Sequence, residues 1–96
     1  MREPFVYMMA NRPNGVLYIG VTSNLPKRAW EHRNHVIGGF TKKYRLEKLV
    51  WFESHDSMDS AISREKKLKK WKRAWKIELI EAMNPEWRDL YEDLVA

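Results

Sequence analysis

No cysteine occurs anywhere in this 96-residue sequence. That excludes a disulfide framework, a thiolate zinc site and cysteine nucleophile chemistry, and it fits a reducing compartment. No apolar run approaches the roughly 20 residues of a membrane span. The opening Met1-Arg-Glu-Pro4 has no signal-peptide h-region, so a cytoplasmic location is expected. There is no G-x-x-x-x-G-K-[ST] phosphate loop; Gly38-Gly39 alone is only a turn. Nothing supplies a nucleophile elbow, and Ser23 with His32 is no triad signature. Internal repeats and low-complexity linkers are also missing, and the length suits one small domain over residues 1–96.

What is present is bulk and positive charge. Five Trp, four Tyr and three Phe supply core material. The formal net charge is +5, and its distribution is uneven. Residues 64–76 hold eight of the eighteen Lys and Arg and a single acid, whereas the stretch from Glu78 onward is acidic. Such asymmetry suggests a surface that meets a polyanion, although a basic run is also what a solvated helix face looks like.

Phe5 to Ala10 and Val16 to Val21 read as strands, rich in apolar, β-branched and aromatic residues. Between them Asn11-Arg-Pro-Asn-Gly15 is a turn cluster, so the pair should form an antiparallel hairpin. A two-residue turn would set Tyr18 opposite Asn11; a wider loop would set it directly opposite Tyr7. Both put Tyr7 and Tyr18 on one face, and the inability of Pro13 to donate a ladder bond favours the wider loop. Thr22-Ser-Asn24 with Pro26 starts a helix from about Leu25 to His35, whose stripe is Leu25, Ala29, His32 and Val36. Phe40-Thr-Lys-Lys-Tyr-Arg45 reads as a loop of cations and aromatics. Leu46 to Glu53 is a third strand whose continuous apolar centre suggests a central position, covered on both faces. Asp56 or Ser57 caps a second long helix with the stripe Met58, Ala61, Ile62, Glu65 and Leu68. Arg73 to Met83 forms another helix, stopped at Asn84-Pro85, and Trp87, Leu90, Tyr91 and Leu94 give a short terminal helix or turn.

Glu65 is the sharpest anomaly, a carboxylate on a stripe where leucine is expected. A rim residue pairing with Arg64 or Lys69 would look the same. The chemical reading is a metal ligand, since one carboxylate, waters and a substrate phosphate are a normal set for Mg2+. Arg28 and His32 are four apart on a helix and so are neighbours. The guanidinium suits a phosphate and the imidazole suits proton transfer or phosphate binding; the ordinary alternative is a surface Arg beside a packed His. Strand tyrosines such as Tyr7 and Tyr18 are most often core residues with a hydroxyl at the edge. A phenol titrates near 10, so use as a general base requires help from a cation or a metal. His55, Asp56 and Asp59 could suggest metal ligands, but helix capping accounts for both acids.

Taken together, the residues resemble the GIY-YIG nuclease superfamily along nearly the whole chain. Its two namesake motifs correspond to Phe5-Val-Tyr7, altered but retaining its tyrosine, and to the intact Tyr18-Ile-Gly20. The family's helix arginine matches Arg28, a histidine found in some members matches His32, its metal-binding glutamate matches Glu65, and a late asparagine matches Asn84. The small stand-alone form resembles the bacterial UPF0213 or YhbQ-like group, related to the N-terminal nuclease domain of the UvrC repair protein. The resemblance implies an α/β (α+β) fold, a three-stranded antiparallel sheet flanked by helices. It also implies a metal-dependent endonuclease in which Tyr7, helped by His32, activates water. Arg28 and Tyr18 would hold the phosphate, and Mg2+ or Mn2+ would sit on Glu65.

Substrate contacts are expected from Lys42, Lys43 and Arg45, and from Lys66, Lys69, Lys70, Lys72 and Arg73, which would grip phosphates without reading sequence. Phe40 and Tyr44 could stack on an unpaired base. With no separate reading domain, weak sequence preference is expected, with selection of branched, flapped or single-stranded DNA, or specificity supplied by a protein partner. A role in DNA repair or recombination fits the resemblance. The same charges suit RNA, and a non-cutting or partner-activated binding module is the alternative to an enzyme. The tryptophans leave room for an apolar patch and a homodimer.

Overall fold

The computed structural model describes residues 3–95. Met1 and Arg2, part of the opening stretch read as lacking a signal sequence, lie outside the described residues. Strands β1 (Phe5–Ala10) and β2 (Leu17–Thr22) form the expected hairpin. Its register falls midway between the two weighed from the sequence, with Met9 opposite Tyr18 and Tyr7 opposite Gly20. The turn residue Asn14 takes a positive φ of 57°, and Asn11 Oδ1 accepts a bond from the Val16 amide at 2.9 Å, which closes the loop one pair tighter than Pro13 suggested. The phenols share a face as diagonal neighbours, not as a directly opposed pair.

Strand β3 (Lys48–Ser54) pairs antiparallel with the other side of β1, so the order is β2-β1-β3. β1 is therefore the central strand, and the expectation that β3 would be central is corrected. The apolar run that suggested it has two local causes. A register shift leaves Val50 without a partner in β1, between the pairs Met8–Trp51 and Met9–Leu49. Val50 and Trp51 consequently enter the same core, while Leu49 enters the other. The outer edge of β3 is also covered. The Leu90 amide donates to Leu49 O at 2.8 Å, Asn84 Nδ2 donates to Val50 O at 3.2 Å, and the Leu49 amide donates to Asp89 Oδ1 at 3.2 Å. An edge strand with its polar groups satisfied in this way can be as apolar as an interior one.

Alternation along β1 builds two cores. Val6, Met8 and Ala10 face α3 (Met58–Lys70) and α4 (Arg73–Met83), meeting Ala61, Leu68 and Ile80. Tyr7 and Met9 face α1 (Leu25–Arg33), meeting Leu25 and Ala29, with Leu46 and Leu90. Helix α1 begins as its sequence predicts, with Asn24 Oδ1 accepting from the Lys27 amide at 3.2 Å. It ends earlier than expected, because His35 takes a φ of 58° and turns the chain away; Val36, expected on the buried stripe, is exposed. Helix α2 (Phe40–Lys43) occupies the segment read as a loop. Gly39, at a φ of 78°, starts it with a conformation that few side-chain-bearing residues adopt. Ser57 caps α3 by accepting from the Ser60 amide at 3.1 Å, and α5 (Tyr91–Val95) packs against α1.

Candidate nuclease site

The hairpin and α1 bring three rings together. The Tyr7 hydroxyl lies 2.9 Å from His32 Nε2. Ring centroids are 6.3 Å apart for Tyr7 and Tyr18, 5.6 Å for Tyr7 and His32, and 5.7 Å for Tyr18 and His32. Residue 20 makes this triangle feasible. A Cβ there would sit 2.5 Å from the Tyr7 hydroxyl oxygen and 2.9 Å from Tyr18 Cε2. The glycine of the Tyr18-Ile-Gly20 motif is thus the gap that the opposing phenol fills, a role the sequence did not reveal. Gly20→Ala is expected to expel the Tyr7 ring, costing about 1–3 kcal/mol in urea denaturation. Cleavage should fall with it; an alanine variant with wild-type stability would show that the ring can shift freely.

Burial sets the ionisation of the group. Tyr7 and His32 are almost wholly buried. Burial, then the neighbouring Tyr18, holds the Tyr7 phenol well above its ordinary range, while Arg28 pulls it back down. Burial, then the Arg28 charge, lowers the His32 pKa to about 4, with Glu31 opposing. The imidazole is therefore neutral near neutral pH. Its second nitrogen, Nδ1, is buried without a hydrogen-bond partner, as is Arg28 Nε. Glu31 Oε1 lies 3.3 Å from Arg28 Nε, an ion pair without an aligned hydrogen bond. Arg28 also lines a polar cleft with Thr22, Ser23, Asn24, Lys27 and Glu31, at the start of α1.

Glu65 lies on α3, which packs over β2 and β1. Its side chain is 15% exposed, and its carboxylate faces Lys69 Nζ at 3.3 Å. A largely buried carboxylate already holding an ammonium is a place suited to positive charge. Among the described residues no three His, Cys, Asp or Glu gather at a point. A single oxygen donor group fits a hydrated hard cation such as Mg2+ and does not fit a dedicated transition-metal site. Tyr18, Lys69, Lys76 and Phe40 line one cleft with Leu17 and Ile19 at the outer edge of β2.

Asn84, expected at the site, lies apart from the ring triangle. It is buried at the C-terminus of α4, on the β3 side of the sheet, two strands from Tyr18. Its amide donates to Val50 O and, at 2.8 Å, to Arg88 O, and its Oδ1 accepts from the Arg88 amide at 3.0 Å. With both ends engaged it is a structural clamp. Arg73, expected on the substrate surface, is exposed, and its Nη2 donates to Asn14 O at 2.7 Å and to Gly15 O, fastening the hairpin turn. Lys42, Lys43, Tyr44 and Arg45, and Lys66, Lys69, Lys70 and Lys72, are exposed as a substrate surface requires. His55, weighed as a metal ligand, is engaged on both nitrogens, with Glu53 at 2.8 Å and Ser60 at 2.7 Å. Arg64 joins the same Glu53 at 3.1 Å, so the cluster ties α3 to β3.

A family model described as the GIY-YIG catalytic domain matches residues 3–78, a span that holds Tyr7 through Glu65 and stops short of Asn84. A UPF0213 protein of Syntrophus aciditrophicus is 39% identical over 87 residues, covering 90% of this chain and 98% of that protein. A UPF0213 protein of Clostridium perfringens is 37% identical over 76 residues, covering 79% of this chain and 81% of that protein. The solution NMR structure of a UPF0213 protein of Bacillus halodurans superposes with a TM-score of 0.55 at 21% identity over 93% of both chains, which shows the shared fold.

Proposed function

This chain belongs to the GIY-YIG family, in its small stand-alone UPF0213 group, and from that premise we propose that it is a divalent-metal-dependent endonuclease acting on DNA in the cytoplasm. The observation that carries the reading is the buried contact between the Tyr7 hydroxyl and His32 Nε2, set beside Tyr18 and Arg28. A raised phenol pKa means Tyr7 is protonated at rest, so it cannot act as a base alone. It needs an acceptor for its own proton, and the neutral imidazole at 2.9 Å is one. Tyr7 would take the proton of the attacking water as its own passes to Nε2. Arg28 lowers the basicity of His32 in the free protein. A phosphodiester anion against the guanidinium offsets that charge, so substrate binding itself makes the imidazole a better acceptor.

Arg28 and the Tyr18 hydroxyl would hold the non-bridging oxygens and the charge that develops on them. Glu65 would hold the divalent ion, Mg2+ or Mn2+, which when bound supplies charge stabilisation at the phosphate. The exposed lysines of α2 and α3 would position the backbone.

The test is cleavage of supercoiled plasmid, single-stranded, flapped and four-way-junction DNA and structured RNA, each with Mg2+, Mn2+ or EDTA. Metal-dependent cutting of DNA is the expected result. Binding without cutting on every substrate would replace the enzyme with a binding module, and cutting confined to RNA would replace the substrate.

A further inference from the structure

We propose that the cleft beside Tyr18 accepts one unpaired nucleobase, with Phe40 as its stacking platform and Lys69 and Lys76 on the adjoining phosphates. The inference rests on the nuclease reading above and assigns the substrate class of that same site. Four observations carry it. Phe40, the first residue of α2, is 49% exposed, so the face of its ring is open to a ligand. Its ring packs on Tyr44, with centroids 4.8 Å apart, which narrows the orientations open to it before any ligand arrives. Phe40 and Tyr18 border the same cleft at the outer edge of β2, with Leu17 and Ile19. The rim carries two lysines and no acid.

Aromatic walls with a cationic rim match a flat ring attached to an anion. A flush duplex offers the anion without the ring: its base faces are stacked inside, and only edges and backbone are outside. A base in a single-stranded tail, flap or bulge exposes its face and stacks on aromatic side chains with little regard to sequence. Tyr18 belongs to both the cleft and the ring triangle with Tyr7 and His32, so the seated base would neighbour the phosphate that is cut. Lys69 also pairs with Glu65 and therefore spans the two halves of the surface. Cleavage would fall next to an unpaired nucleotide.

The experiment is fluorescence anisotropy of the full chain in EDTA, so that nothing is cut, with three labelled DNAs. These are a flush duplex, the same duplex with a single-stranded tail, and the tailed duplex with abasic nucleotides in the tail. The abasic tail keeps every phosphate and removes only the bases. Stacking of a base on an aromatic ring predicts about tenfold tighter binding of the intact tail than of the abasic one. Phe40→Ala should remove that difference and leave the flush duplex unchanged, while Phe40→Trp should keep it. Lys76→Ala should weaken both tails alike and lower the salt slope by about one. Equal binding of intact and abasic tails, or an equal loss on all three DNAs with Phe40→Ala, would overturn the cleft assignment alone. Failure to bind any of the DNAs would overturn the nuclease reading with it.

Discussion

Glu65→Gln is expected to lower metal-dependent cleavage by about a thousandfold, the scale on which removing a transition-state electrostatic contact acts. The substitution keeps the shape of the side chain and removes its charge. Nothing in the packing of α3 depends on that charge beyond the Lys69 pair, and Lys69 is half exposed, so the fold should be unaffected. Nucleic-acid affinity in EDTA should hold or rise slightly, because a negative charge has left a basic surface. Initial rates at saturating Mg2+, paired with anisotropy in EDTA, check both halves. Unchanged cutting would remove Glu65 from the site, and parallel loss of binding would make its role structural.

Tyr7→Phe should lower the cleavage rate by about 10²–10⁴, the ordinary contribution of a positioned proton-transfer group. It also leaves His32 Nε2 buried without its partner, at a cost of about 1–3 kcal/mol, so rates must be taken where urea denaturation shows the variant folded. The pH profile separates a proton path from mere packing. The relay needs neutral His32, whose pKa is lowered to about 4. The acid limb of kcat/KM for the wild type should therefore fall near pH 4, well below an ordinary imidazole. Stability follows the same linkage: the folded state refuses a proton that the unfolded chain accepts, so this contribution is whole above pH 6.5 and drains away towards pH 4. Circular dichroism at each pH keeps unfolding from being mistaken for titration. An acid limb near 6.5, or a phenylalanine variant that cuts at the wild-type rate, would remove His32 and Tyr7 from proton transfer.

The strands, both long helices and the shared face of the two tyrosines were legible because each depends on short-range pattern. Phe5–Ala10 and Arg73–Met83 have the bounds the pattern predicted. What escaped depends on groups distant in sequence. β3 looked central because its run Leu49-Val50-Trp51-Phe52 is unbroken, and only the register shift at Val50 and the cover from Asn84, Asp89 and Leu90 explain that run at an edge. Tyr7, Tyr18, Arg28 and His32 could be singled out by order and residue type, but the reason for Gly20 needed the register. Asn84 and Arg73 show one limit of the sequence: composition marks a polar residue as available, and it cannot show that a backbone carbonyl already accepts from it.

The Arg73 bond to the hairpin turn spans 59 residues. It fixes an order of events as the protein is made. Tyr7, Tyr18, Arg28 and His32 all leave the ribosome within the first third of the chain, but α4 and the Asn84 clamp come in the last third. Closing so long a loop is slow compared with zipping a hairpin. A growing chain can hold every ring of the site and still lack the Arg73 tie to the hairpin turn. The hairpin that carries two of the rings is thus fastened only once α4 has docked on the sheet.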